Sequence, residues 1–471
     1  MDQFLNEQQD PTLVEKWSPI LEHASMPKIE DAYRKQVTAA LLENQAAENK
    51  RQALQESTPT NVTAGAAKYD PVLMSMVRRS APAMIAFDVC GVQPMSMPTG
   101  LVFALRSRYT SQSGTEALWQ EANTAFSGTG THTVGGVMNV VRKGGLTSGS
   151  TSVTVGDGAG RVAQGMLVYG EGIPANTTVA SVAGNTVTLS NGATATNADA
   201  VLSFIPTVGS AMSTAQGEGD ISAQMGVSIE KIAVEAKTRA LKAEYSVELA
   251  QDMQAVHGLD AENELINICS NEVLAEINRE VLRNIYAAAK LGAIKDTTIP
   301  GIFDLQKDAD GRWSAERFKG LHFAIERDAN GIAFDTKRGK GNILIVSADV
   351  ASALAAANIL STSNLDVNVT SDWTKSTFVG TIHGRIKVYV DPYAEHDFYC
   401  LGYKGESAMD AGLIYSPYVP LQLYRAADPQ SMQPRLGFKT RYSLSQNILF
   451  NAQQAVRSNA YYRIANVANV I

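Results

Sequence analysis

The sequence predicts an α+β protein carrying a small all-β insertion, and three features of the 471-residue chain carry that prediction. Ile266, Cys269, Val273, Ile277, Val281 and Ile285 recur every three or four positions, the spacing of one buried face on a long helix. Residues 146–207 shift abruptly to Thr, Val, Gly, Ala and Ser, with Asp157, Glu171, Asp199 and Arg161 as their charged residues. Short apolar runs there end at Gly, Asn or Pro, which is how small β modules are punctuated. From Lys295 onward, short apolar strands alternate with helical stretches.

Composition bounds the function. The chain is 45% hydrophobic and 18% charged, as in globular proteins, and is too long for one hydrophobic core. A formal charge of -7 opposes broad nucleic-acid gripping, which needs a basic field. Cys90, Cys269 and Cys400 are few, odd in number and far apart, so they read as reduced core residues. No apolar run reaches the length of a membrane span, and the acidic start MDQFLNEQQD does not read as a secretory signal. Synthesis in a cytoplasm is the expectation.

Residues 1–56 read as a separate helical leader. Val14, Trp17 and Leu21 recur at helical spacing, and residues 29–56 are free of Gly and Pro. Ten acids against six bases give this leader -4 of the chain's -7. Residues 57–67, STPTNVTAGAA, read as a pliable linker open to proteolysis. An extended arm with Pro94, Pro98 and Gly100 leads to an outgoing strand, LVFALRSRY, whose return is expected within residues 226–246.

In the insertion, TSVTVG, GMLVYG, TTVASV and NTVTLS are the expected strands, with a hairpin turn at Gly184–Asn185. Asp260 is an N-cap for the long helix, expected over residues 260–291, with Glu262 and Glu264 in its first turn and Lys290 and Gly292 closing it. About 32 residues make a rod of roughly 48 Å. NILIVS (342–347) reads as a buried strand, 349–360 as an Ala-rich helix, and 385–390 and 398–403 as strands.

Catalytic signatures are missing from the sequence. None of the six histidines sits in HExxH, no cysteines have CxxC spacing, and no GxSxG elbow occurs. His396 and Cys400 read as one strand segment. Residues 156–160 form a Gly-rich turn with no GK[ST] after it, and Arg338–Gly339–Lys340–Gly341 is a basic turn before a strand. Asp308 and Asp310 resemble the start of a calcium loop, but Arg312 stands at the next ligand position. These readings leave no catalytic, cofactor or metal residue to name.

Several long blocks carry a family resemblance: RRSAPAMIAFDVCGVQP (78–94), AEYSVELAQDMQAVHG (243–258), EINREV (276–281), RGKGNILIVS (338–347), GYKGESAMDAGLIYSPYVPL (402–421) and GFKTRYSL (437–444). In order, they resemble the major capsid proteins of T4-like tailed phages, which have the HK97-type shell fold. The resemblance implies an N-terminal arm (57–100), an E-loop (101–145 and 208–245) carrying the insertion (146–207), a peripheral domain (246–330 and 422–471) with the long spine helix, and an axial domain (331–421). It implies hexameric capsomers in a virion shell that encloses DNA without sequence-specific binding. It also implies a capsid vertex protein, scaffold proteins, a prohead protease, decoration proteins and a folding chaperonin as partners.

That protease prefers an aliphatic residue two before a glutamate, which fits Leu54 and Glu56, with Ser57 becoming the new N-terminus. Leu41–Leu42–Glu43 fits too but lies inside the predicted helix. The pentamer-forming vertex protein shares the fold and stays open as an alternative, as does, more remotely, a cellular nanocompartment shell protein. A β-rich adhesin would account for the insertion but not for the long helix.

Overall fold

The computed structural model describes residues 11–22, 29, 31–55, 84–118, 121–130, 132, 139–156, 161–221, 223–294, 297–309, 311, 313–361, 377–405, 410–427, 433–447 and 456–470. Helix and sheet are both abundant, so the chain is α+β. It divides into two compact units, residues 1–104 with 231–471, and residues 105–230.

The larger unit is organised by its helices. The longer ones are α1 (Pro11–Leu21), α2 (Ala32–Gln55), α3 (Ala261–Ala288), α4 (Ser314–Thr336) and α5 (Ala348–Ala356). Asp260 caps α3 by accepting from the Glu262 amide at 3.0 Å, and all six stripe residues of α3 are buried. The helix stops at Ala288, earlier than the sequence suggests. Residues Ala289–Leu291 form a strand beside Asn459–Ala468, so Lys290 belongs to a sheet and not to a helical last turn. The Lys290 ammonium meets Asp335 at 3.2 Å instead of helix-end carbonyls.

The main sheet runs Ala289–Leu291, Asn459–Ala468, Phe398–Gly402, Ile343–Val346, Ile386–Val390, Thr377–Ile382, Leu360–Ser361, with Ile302–Asp304 also pairing onto Asn459–Ala468. Its central strand Ile343–Val346 is buried on both faces. Ile343 and Ile345 join the core of α3, whereas Leu344 and Val346 join the core of α4 and α5. Successive side chains point to opposite faces, so a strand covered on both sides has no polar alternation. That explains the unbroken apolar run NILIVS. A second sheet orders Gly91–Val92, Leu413–Ala427, Pro434–Gln446 and Lys237–Glu244. Leu413–Ala427 and Pro434–Gln446 form a long antiparallel pair whose register slips twice, between Pro417 and Val419 and between Val419 and Gln422.

The second unit holds a six-stranded module in the order Leu167–Gly170, Asn197–Ile205, Val140–Leu146, Ser152–Val155, Thr186–Leu189, Val179–Ala183. Its first strand starts at Val140, ahead of the sequence boundary, because Arg142 and Lys143 hide this strand from a composition test. The two outer strands meet: Leu167 bridges Thr178, and the Val179 amide donates to the Met166 carbonyl at 2.8 Å. Val153, Val155, Met166, Val187, Leu202 and Phe204 fill the interior. Gly184 and Asn185 form the expected two-residue turn, with Gly184 at φ +58°, a conformation that costs glycine little. The Gly-rich stretch 157–160 lies outside the described residues.

Candidate functional site: the leader cradle and the hairpin ribbon

The leader, which reads as separate in the sequence, is built into the main core. Trp17 and Leu21 of α1, Val37, Leu41, Leu42 and Ala46 of α2, and Ile29 between them are buried in one cluster with Ile266, Val273 and Ile277 of α3. Met84, Phe87, Leu421, Leu436 and Phe438 belong to the same cluster. Polar contacts fix the register of α2. Asn44 donates from Nδ2 to the carbonyls of Met95 and Tyr418 at 2.9 and 3.0 Å. Gln45 accepts from Gln422 at 3.3 Å, the Arg34 guanidinium pairs with Asp88, and the Tyr33 hydroxyl donates to the Val92 carbonyl.

Glu43 accepts from both the Lys16 ammonium, at 2.6 Å, and the Trp17 indole, at 3.0 Å, closing α1 onto α2. Leu41–Leu42–Glu43 is therefore sealed in a packed helix. Leu54 lies in the last turn of α2, while Glu56 and Ser57 lie outside the described residues.

The strands Thr99–Tyr109 and Met225–Glu235 pair into a two-stranded ribbon. Along Met225–Glu235, Met225, Val227 and Ile229 are between 50% and 68% exposed and, at period two, share one face. On the other face Arg108 donates to Ser228 and Glu230, and Arg106 meets Glu230 at 3.1 Å and Glu116 at 3.3 Å. One face is thus apolar and open to solvent, and the other is cross-braced by ions.

Reactive groups are dispersed or spent on structure. Among the described residues no three His, Cys, Asp or Glu side chains gather as a metal site. Cys90, Cys269 and Cys400 are free and buried, and burial pushes the Cys90 thiol up to about 12, so it stays protonated at neutral pH. Asp308 accepts from Thr298 and from the Asp304 amide, which makes it a turn brace, and Asp310 and Arg312 lie outside the described residues. His396 borders a groove of about 860 Å³ along α3, whereas Cys400 lies buried in strand Phe398–Gly402. No helix among the described residues is long and apolar enough to cross a membrane.

An N-terminal helix pair packed into the core, a long bracing helix and a one-sided ribbon are the features that the described residues offer. The family model described as major capsid protein Gp23 matches residues 66–467. The major capsid protein of Enterobacteria phage T4 is 36% identical over 97% of this chain and 95% of its own length. That of Enterobacteria phage T6 is also 36% identical, over 92% of this chain and 94% of its own. The capsid vertex protein of Enterobacteria phage T4 is 26% identical, over 46% of this chain and 52% of its own. Among solved structures, the capsid of Myoviridae phage XM1 covers 53% of this chain and 79% of its own at 10% identity and a TM-score of 0.32.

The chain belongs to the major capsid protein Gp23 family. It is a head-shell protein of the T4-like kind and a virion component, not an enzyme, and the vertex-protein likeness is the more partial and distant one.

Proposed function

We propose that the chain forms hexameric capsomers whose ribbons lie against neighbouring copies and build the shell that encloses the DNA. The observation that carries this reading is the open apolar stripe Met225, Val227 and Ile229 on an ion-braced ribbon. A stiff strand pair with one solvent-facing apolar side gains by burial against another surface. Repetition of that contact in a closed symmetric shell multiplies a modest interface. The vertex protein fills the pentameric positions. Scaffold proteins, decoration proteins and a chaperonin act in assembly, and the acidic chain encloses DNA without sequence-specific contacts.

In this reading a prohead protease cuts between Glu56 and Ser57, with Leu54 as the aliphatic recognition residue. Loss of residues 1–56 then removes -4 of the -7 charge, leaving -3. The test is the intact mass of the chain recovered from fast-sedimenting particles. A chain starting at Ser57 supports both assembly and maturation. A full-length chain in such particles keeps the shell and removes the cleavage, and a chain missing from them removes the capsomer reading.

A further inference from the structure

We propose that the face holding α1 and α2 is a helix-binding cradle that keeps the leader attached after the backbone is cut, so that scission and departure are separate steps. This deepens the reading in which the leader is removed. The leader's contacts described above come from residues 16–46, and the body's side of them starts at Met84. A cut between Glu56 and Ser57 severs the tether and breaks none of these contacts. What remains is a two-helix ligand on a preformed receptor surface.

The receptor side has a specific chemistry. Strand Leu413–Ala427 loses its regular pairing across Pro417–Gln422, where prolines at 417 and 420 cannot donate and the register slips twice. Carbonyls in this bulge take side-chain donors instead: Thr440 serves Val419 at 3.0 Å, and Asn44 of the leader serves Tyr418. Gln422, one residue beyond Leu421, pairs with Gln45 of the leader. Asn44 thus serves a strand carbonyl in the irregular stretch and Gln45 holds the Gln422 side chain, while Leu41 and Leu42 cover the apolar floor around Ile277 and Leu421. The cradle therefore selects an amphipathic helix that presents two leucines followed by a carboxamide pair. Gln45 is buried and Asn44 half-buried, so leaving breaks hydrogen bonds that water replaces only after the helix has lifted, which makes departure slow.

The test uses the full chain with the recognition sequence of a site-specific protease placed after Glu56. After cleavage, the cut chain is passed through native size exclusion and each fraction is weighed by mass spectrometry. The expected result is co-elution of leader and body. In Asn44→Ala the leader should dissociate about tenfold faster, the loss expected for two hydrogen bonds of ordinary net strength. A leader that elutes alone while the body keeps its circular dichroism overturns the proposal.

Should cutting precipitate the body, amide hydrogen exchange on the uncut chain decides. Protection of residues 37–46 equal to that of α3 supports the cradle, and exchange at unfolded-peptide rates overturns it. Because this cut is engineered, failure of the cradle is distinct from failure of maturation, which would show as uncut chains in particles.

Discussion

The guanidinium of Arg279, on α3, meets the carboxylate of Asp391 at 2.6 Å, and the Asp391 side chain is only 1% exposed. This pair ties the long helix to the loop that leaves strand Ile386–Val390. Asp391 also accepts from the Tyr286 hydroxyl at 2.9 Å and the Tyr393 amide at 3.0 Å. Burial, reinforced by the Asp391 charge, holds the Tyr286 phenol well above its usual range, so this hydroxyl remains a donor.

Arg279→Ala should therefore be costly. It leaves a desolvated carboxylate with two neutral donors and no counter-charge, a loss of about 2 to 3 kcal/mol. Arg279→Lys should recover part of it, since an ammonium restores charge without the planar fork. The denaturant midpoint of the larger unit reads both variants, and an unchanged midpoint for the alanine variant would contradict the account.

Acid should weaken the larger unit through His322. The ring nitrogens Nε2 of His322 on α4 and His383 lie 3.1 Å apart, so one imidazole donates to the other. Burial, then the charge of His383, lowers the pKa of His322; Lys340 and Arg385 push the same way and Glu326 opposes them. The unfolded chain binds the proton more readily than the folded one. This stability is thus complete above the ordinary histidine pKa of about 6.5 and is lost as pH falls through the lowered folded value. Unfolding midpoints measured between pH 7.5 and 5 should decline, and His322→Gln should flatten part of that decline.

Much of this was legible because the signal was local. The α3 stripe and its Asp260 cap lie within one continuous segment, so periodicity and capping chemistry suffice to find them. Burial of the leader was not legible, since its cover comes from other elements: residues 84–95, and α3 and two strands more than two hundred positions away. Polar Thr38 and Gln45 also occupy buried positions of α2 and break its apolar pattern. The ribbon posed a different difficulty. Alternation at Met225, Val227 and Ile229 predicts a strand, yet alternation alone cannot say that the apolar face is the open one. In Leu413–Ala427, register slips around two prolines depend on side chains from other elements, which no local pattern encodes.

The ribbon stripe yields a clean assembly variant. Val227 and Ile229 are exposed in the subunit, so Val227→Asp with Ile229→Asp should change subunit stability by no more than about 0.5 kcal/mol. In a capsomer interface the same charges would be buried without partners, at a cost of several kcal/mol per copy. The double variant should therefore give folded subunits that sediment slowly and form no shells. Normal shells from this variant would remove the ribbon from the interface.

The boundaries of the β module make the last prediction specific. Val140 pairs with Phe204 and Leu146 with Asn197 in antiparallel register, so the module enters and leaves through neighbouring strands. Directly opposed residues in such pairs sit about 5 Å apart at Cα. A linker of two or three residues joining Asn139 to Pro206 should therefore replace residues 140–205 without moving either end. Excision of only 146–207 would behave differently, because it strands Val140–Gly145 as an unpaired edge with Val140 exposed and invites aggregation. The expected outcome is a soluble chain for the first deletion, with the larger unit's unfolding transition unchanged, and precipitation for the second. Equal solubility of the two would mean that strand Val140–Leu146 does not belong to the module, and Phe204→Ala would then fail to show the loss of about 3 to 5 kcal/mol expected from its buried core position.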